Sequence, residues 1–231
     1  MKNQATRMFT VFLALSMVVG CQTVKNANNK QKGAVIGATG GALLGAILGN
    51  NVGSGDNSEL GAVIGGVVGG TAGVLIGNRM DKQAKEIENQ IPGAEVERVG
   101  DGIVINFDEN SGVFFQTAQT SIVGESAELL AKLANVMNEY KDTNIIIAGH
   151  TDSVGAESSN LTLSKNRALA VENYLASRGI SNSRFTTKWY GETNPKTTNE
   201  TAEGRAKNRR VTLAIVPNEK MKQDAQKKAG Q

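Results

Sequence analysis

Little of the equipment of a catalyst is present in this chain. Its 231 residues include one cysteine and one histidine. A lone cysteine forms no internal disulfide, and one histidine among scattered carboxylates gives no ligand set with metal-binding spacing, so neither a metal nor another cofactor is expected. A hydrolase needs a nucleophile, a base and an orienting acid in mutual reach. Ser153, His150 and Asp152 stand too close together in sequence to be arranged that way. Charge of one sign is also scarce: 25 basic against 22 acidic residues leave a net charge of +3, without the one-sided clustering that a nucleic-acid footprint requires. The lysines from Lys220 to Lys228 are the only local excess, and residues 218–231 read as a solvated basic tail.

What is present begins with an export signal. Lys2 and Arg7 form a short cationic region, and the apolar stretch from Met8 to Val19 is twelve residues long, too short to span a bilayer and the right size for a signal peptide over residues 1–20. It ends in Val18-Val19-Gly20-Cys21, which resembles the bacterial lipobox, whose cysteine is diacylated and becomes the new N-terminus. Lipidation would account for Cys21 in an exporting context that otherwise favours paired thiols. Gln22 follows the cysteine, and in enteric-type sorting that implies the outer membrane. Cleavage would remove Lys2 and Arg7 and no acid, leaving 23 basic against 22 acidic residues.

After a linker over residues 21–32, the composition changes abruptly: 15 of the 27 glycines fall within residues 33–77. Gly33-Ala-Val-Ile-Gly37 recurs as Gly61-Ala-Val-Ile-Gly65, a period of 28, which marks an internal repeat. Glycines stand four apart at 33, 37, 41, 45 and 49 and again at 61, 65, 69, 73 and 77. That spacing lines one helical face with small residues and lets another backbone lie close. In water each such glycine costs a helix about 1 kcal/mol relative to alanine, whereas a bilayer enforces helix and rewards close packing. Residues 33–78 therefore read as a glycine-zipper helical hairpin, turned by the polar stretch around Asp56 and Asn57, that inserts in or lies against lipid. Self-association through the zipper would make a homo-oligomeric scaffold. A flexible glycine-rich linker is the alternative; the strict period and the interleaved Ile, Val and Leu oppose it.

Residues 79–93 read as a charged helical linker stopped by Pro92-Gly93, and residues 94–217 as one domain. Two alternating segments, 95–99 and 102–107, flank Asp101-Gly102 as a hairpin. Residues 120–140 carry Leu129, Leu130, Leu133, Val136 and Met137 at helical spacing. A short apolar strand follows at 145–148, then a helix over 161–177 closed by Arg178-Gly179, and strands at 185–190 and 210–216. The fold class is α+β: a βαβαββ sandwich with helices on one face of a mixed sheet.

Gly149-His150-Thr151-Asp152-x-x-Gly155, Asn160, Leu163-Ser164-x-x-Arg167-Ala168, Asn194-Pro195, Asn199-x-Thr201-x-x-Gly204-Arg205 and Asn208-Arg209-Arg210-Val211 together resemble the OmpA-like C-terminal domain, the peptidoglycan-binding module of many Gram-negative outer membrane proteins. The N-terminal half is similar to the lipoprotein branch of that family. The resemblance implies a non-catalytic tether between outer membrane and cell wall, gripping meso-diaminopimelate in the stem peptide. An ammonium and carboxylates on one short chain call for an anion and a cation at fixed separation. Asp152 would take the ammonium, and Arg167, fifteen positions on, would fork onto a carboxylate. Thr151 belongs to the same loop, Gly155 lets it pass close to the ligand, Asn160 can hold loop or ligand, and Arg209 would add a second cation. Bland roles stand beside these: Asp152 could cap the helix, Arg167 could pair with Asp152 alone, and Arg209 or Arg210 could be an exposed strand-end charge. Gln116 stands where many relatives carry an aspartate, so that loop brings no charge.

Overall fold

The computed structural model describes residues 70–108, 111 and 120–230. The signal segment, Cys21, the first zipper stretch with its polar turn, and Gln116 lie outside the described residues.

Helix α1 (Gly70–Gln90) opens the described chain. Ala72, Ile76, Met80, Ala84 and Ile87 recur at three- and four-residue intervals and are buried, the spacing that gathers side chains on one helical face. Lys82, Lys85 and Glu88 point outward, which is why the segment looks wholly charged in sequence. Its inner face joins the same core as the sheet. Two expectations change as a result. The stretch 79–93 is not a linker ahead of the domain but part of its helical layer, and the end of the second zipper stretch, with Gly73 and Ile76 buried, packs on protein. No described helix is long and apolar enough to cross a membrane.

Strands β1 (Glu95–Val99) and β2 (Gly102–Phe107) form an antiparallel hairpin with Val99 opposite Gly102. The turn residues are Gly100 and Asp101, one position earlier than the Asp101-Gly102 signal, because Gly100 supplies the left-handed φ of 57° that other residues resist. Helix α2 (Glu125–Glu139), strand β3 (Thr143–Gly149), helix α3 (Glu157–Ser177) and strand β4 (Phe185–Trp189) follow. The chain closes with helix α4 (Ala202–Asn208), strand β5 (Val211–Pro217) and helix α5 (Glu219–Ala229).

The five strands lie in the order β1-β2-β5-β3-β4. Only β3 and β4 are parallel, joined through α3, while β5 runs antiparallel to both β2 and β3. The α+β class and the mixed sheet hold. The order beyond α1 is ββαβαβαβα rather than βαβαββ, because α4 and α5 carry too weak a pattern to be seen in sequence. Both are short and polar; α5 is built from the basic tail, capped where the Asn218 side chain accepts from the Met221 N–H at 3.0 Å. Met221 and Ala225 turn inward, Lys220, Lys227 and Lys228 outward, and Lys222 is half-buried. Helices α2 and α3 begin at Glu125 and Glu157, against expected starts at 120 and 161.

Alternation along the strands divides the sheet's apolar residues between its faces. Ile145, Ile147, Leu213 and Ile215 pack with Leu130, Leu133, Val171 and Leu175 of the helices. Ile146, Ala148, Ala214 and Val216 form a smaller cluster on the opposite face. This double burial explains the unbroken apolar run in β3. Its C-terminal end delivers the chain to the loop that carries the candidate site.

Candidate functional site: a cleft at the C-terminal end of β3

Past Gly149, backbone pairing continues for two residues, with the His150 N–H donating to the Arg210 carbonyl at 3.0 Å and the Thr151 N–H to the Gly191 carbonyl at 2.8 Å. The chain then leaves the sheet. Gly149 cannot be larger: a Cβ there would sit 2.1 Å from the Ser164 carbonyl oxygen, so α3 lies directly against the strand end. Gly155 reverses the loop with a φ of 108°, a region other residues rarely adopt.

Helix α3 presents one inward stripe, Asn160, Ser164, Arg167, Ala168, Val171 and Leu175, at three- and four-residue spacing. Its C-terminal half is apolar and packs on the sheet. The N-terminal half is polar and faces the loop. Polar groups buried on a helix face need partners, and Ser164 finds two, its hydroxyl donating to the Leu161 carbonyl at 2.8 Å and accepting the Gly191 N–H at 2.9 Å.

Thr151, Asp152, Asn160, Arg167 and Arg209, expected from the sequence, line one cleft of about 420 Å³ together with Val154, Leu163 and Arg205. Gly155 shapes the loop and does not line the cleft. The Asp152 carboxylate is 2.7 Å from Arg209 Nη1 through Oδ2 and accepts the Val154 N–H at 3.1 Å through Oδ1. The side-chain cap suggested for Asp152 is not made: the N-cap of α3 is Ala156, with no side-chain cap bond, and Asp152 holds its own loop. Asn160 Nδ2 donates to the Asp152 and Val154 carbonyls, both at 3.3 Å, and to Glu192 at 2.5 Å. Of the two roles open to Asn160, holding the loop is therefore visible.

A second loop braces the first. Asn208, fully buried, accepts from the N–H groups of Lys196 and Thr197 and donates to the Thr197 carbonyl and to Asn199 Oδ1. Asn199 Oδ1 in turn accepts the Ser153 N–H at 3.3 Å. One asparagine thus fixes residues 196–199 against the start of β5 and, through Asn199, the Asp152 loop. Arg209 follows directly as the C-cap of α4.

Two buried polar side chains, Arg210 and His150, are incompletely hydrogen-bonded among the described residues. Arg210 is buried, not an exposed strand-end charge; Nη2 donates to the Asn194 carbonyl at 3.2 Å, while Nε and Nη1 have no hydrogen-bond partner among the described residues. Burial pushes it down to about 10 despite the nearby Asp108. His150 is stacked on Tyr190 with ring centroids 5.3 Å apart, and neither ring nitrogen has a hydrogen-bond partner among the described residues. Burial, reinforced by the Arg210 charge, holds its pKa well below the usual histidine range; the neighbouring Asn194 backbone opposes this without reaching bonding geometry. Ser153 is exposed and His150 bonds to no side chain, so the Ser153, His150 and Asp152 trio is not assembled as a triad.

Arg205 is a cleft residue that sequence reasoning missed, although it lies in the Gly204-Arg205 element. Its four-residue spacing from Arg209 was the available signal, since that spacing places both on one side of a helix.

The cleft and mixed sheet define the class: residues 114–209 match the OmpA family, and residues 1–81 match the YMGG-like Gly-zipper. Along the chain the OmpA-family match thus follows the glycine-zipper match. It is similar to "Probable lipoprotein YiaD" of Escherichia coli, 35% identical over 62% of this chain and 65% of the relative. It also resembles the peptidoglycan-binding protein ArfA of Mycobacterium tuberculosis, 35% identical over 48% of this chain and 34% of the relative. The chain thus spans less than two thirds of the length of either. Among solved structures it resembles the cell wall anchor of the T6SS from Pseudomonas aeruginosa, with a TM-score of 0.52 and 27% identity over 61% of this chain and 98% of that one.

Proposed function

We propose that this protein is a non-catalytic tether that holds the outer membrane to peptidoglycan, anchored in lipid through acylated Cys21 and gripping the diaminopimelate of the stem peptide. The observation that carries this reading is that Asp152 and Arg167, on a loop and on the following helix, line the same cleft. An ammonium placed at the outer side of Asp152 shares that carboxylate with Arg209. Arg167, 3% exposed, forms a buried guanidinium wall for a ligand carboxylate, where a planar fork is favoured over an ammonium. Thr151 lines the cleft, with its hydroxyl turned into the protein. The names of two relatives, one a peptidoglycan-binding protein and one a cell wall anchor, support the ligand class.

The test is sedimentation of the full chain, in detergent, with purified sacculi. A fragment beginning at Gly93 is unsuitable because it lacks α1 and so opens the core. Asp152→Ala and Arg167→Ala should each lower the bound fraction by about tenfold, the scale of one lost charge-assisted contact, with helical circular dichroism unchanged. Variants that sediment as the wild type does would show the grip to lie elsewhere. Cleavage of sacculi by the purified protein would replace the tether with a hydrolase.

A further inference from the structure

The cleft contains one arginine that the proposed grip leaves unused. Arg205 lines it, yet only Nη1 is engaged, donating to the backbone carbonyls of Asn199 at 2.9 Å and Glu200 at 3.1 Å. Both acceptors are neutral. They orient the guanidinium without cancelling its charge, and Nε and Nη2 have no partner among the described residues. Among those residues Asp152 is the only acid lining the cleft, and its oxygens already face Arg209 and the Val154 N–H. No described acid within the cleft therefore neutralises Arg205.

An oriented guanidinium in a concave wall, with two nitrogens open and the neighbouring carboxylate engaged, favours an incoming carboxylate. Four residues along the chain, at the end of α4, Arg209 shows the other arrangement, its charge directed at Asp152. The two arginines of one short helix and its cap are thus divided between holding the loop and presenting a cation.

We propose that Arg205 is a second carboxylate-binding group of the cleft, taking a free acid on the stem residue beside the diamino acid, so that the domain discriminates against stems in which that acid is amidated. The proposal rests on the stem-peptide reading of the same cleft. In a stem where glutamate is linked through its side chain, the α-carboxylate remains ionised and lies one residue from the zwitterionic centre. Amidation removes its charge and replaces one of the two acceptor oxygens with an NH₂ donor, so that the guanidinium fork keeps a single neutral acceptor. Affinity should then fall by about tenfold.

Calorimetric titration of the full chain in detergent tests this with two synthetic ligands: a tripeptide of alanine, γ-linked glutamate and meso-diaminopimelate, and the same peptide with the glutamate α-carboxyl amidated. Wild type should bind the acid about tenfold more tightly. Arg205→Gln should bind the two alike, and Arg205→Lys should retain part of the preference, with charge but no fork. Equal affinity of the wild type for both peptides, with binding still dependent on Asp152, would overturn the role of Arg205 and leave the tether reading standing. Failure of the wild type to bind either peptide would overturn both. Because the ligand pair is compared first on the unaltered protein, the outcome does not depend on Arg205→Gln folding well.

Discussion

The two ends of β3 both carry buried arginines, and they use them in opposite ways. At the N-terminal end, Arg184 donates through Nε to the Thr143 carbonyl at 2.7 Å, through Nη1 to the Met137 carbonyl at 2.8 Å, and through Nη2 to the Tyr140 carbonyl at 3.1 Å and Thr143 Oγ1 at 2.9 Å. Those carbonyls include ones that the end of α2 leaves without partners, so the guanidinium acts as a helix C-terminal cap. All three of its nitrogens are engaged, and it does not line the cleft. At the C-terminal end, Arg205 and Arg210 each keep N–H groups without partners among the described residues, and three arginines line a cleft. An arginine whose hydrogen-bonding groups are saturated has none left for a ligand, whereas one incompletely saturated beside a cavity does.

The largest expected effect comes from filling the space that brings α3 to the strand end. Gly149→Ala would place a methyl 2.1 Å from the Ser164 carbonyl, displacing the half of α3 that bears Asn160 and Arg167. A loss of about 3 kcal/mol, at the upper end for overpacking, should appear in denaturant unfolding, together with loss of sacculus binding. Arg184→Ala should cost a similar or slightly smaller amount, about 2–3 kcal/mol, while the folded fraction binds sacculi as the wild type does. If Arg184→Ala weakened binding as strongly as Arg167→Ala, the contrast between the two ends would fail.

The smallest effect concerns pH. Because His150 is buried as the neutral base with its pKa depressed, the unfolded chain takes up a proton first as pH falls below about 6.5. The folded state should then lose about 1.4 kcal/mol per pH unit until its own histidine protonates. His150→Phe, which keeps a ring beside Tyr190, should flatten that slope between about pH 6.5 and 5. An unchanged slope in chemical denaturation would assign the loss to other groups. The carboxylate of Asp142, lowered by hydrogen bonding to Lys220 and by the charges of Lys220 and Arg79, titrates in a more acidic window and should not be confused with it.

Much of this was legible before the fold was known. All five strands fall within a residue or two of the segments expected from alternation and apolar runs, because side chains on a strand answer to its two faces. The loop and helix bearing Asp152 and Arg167 could be placed by Gly155 and the stripe of α3. The failures have a common cause. Met80 and Ile87 are sparse apolar residues among charges, as are Met221 and Ala225, and nothing local says whether such a weak stripe finds a core to bury in. Arg205 escaped because a seven-residue helix, α4, is too short to display a period.

The sequence by itself determined the strand and helix faces and the chemistry of the cleft, since periodicity and residue type are local properties. Tertiary structure decided the pairing of Asp152 with Arg209, the saturation of Arg184 and the availability of Arg205. Those outcomes depend on which carbonyls and carboxylates, tens of residues distant, arrive within hydrogen-bond reach of each guanidinium, and only chain closure sets that distance.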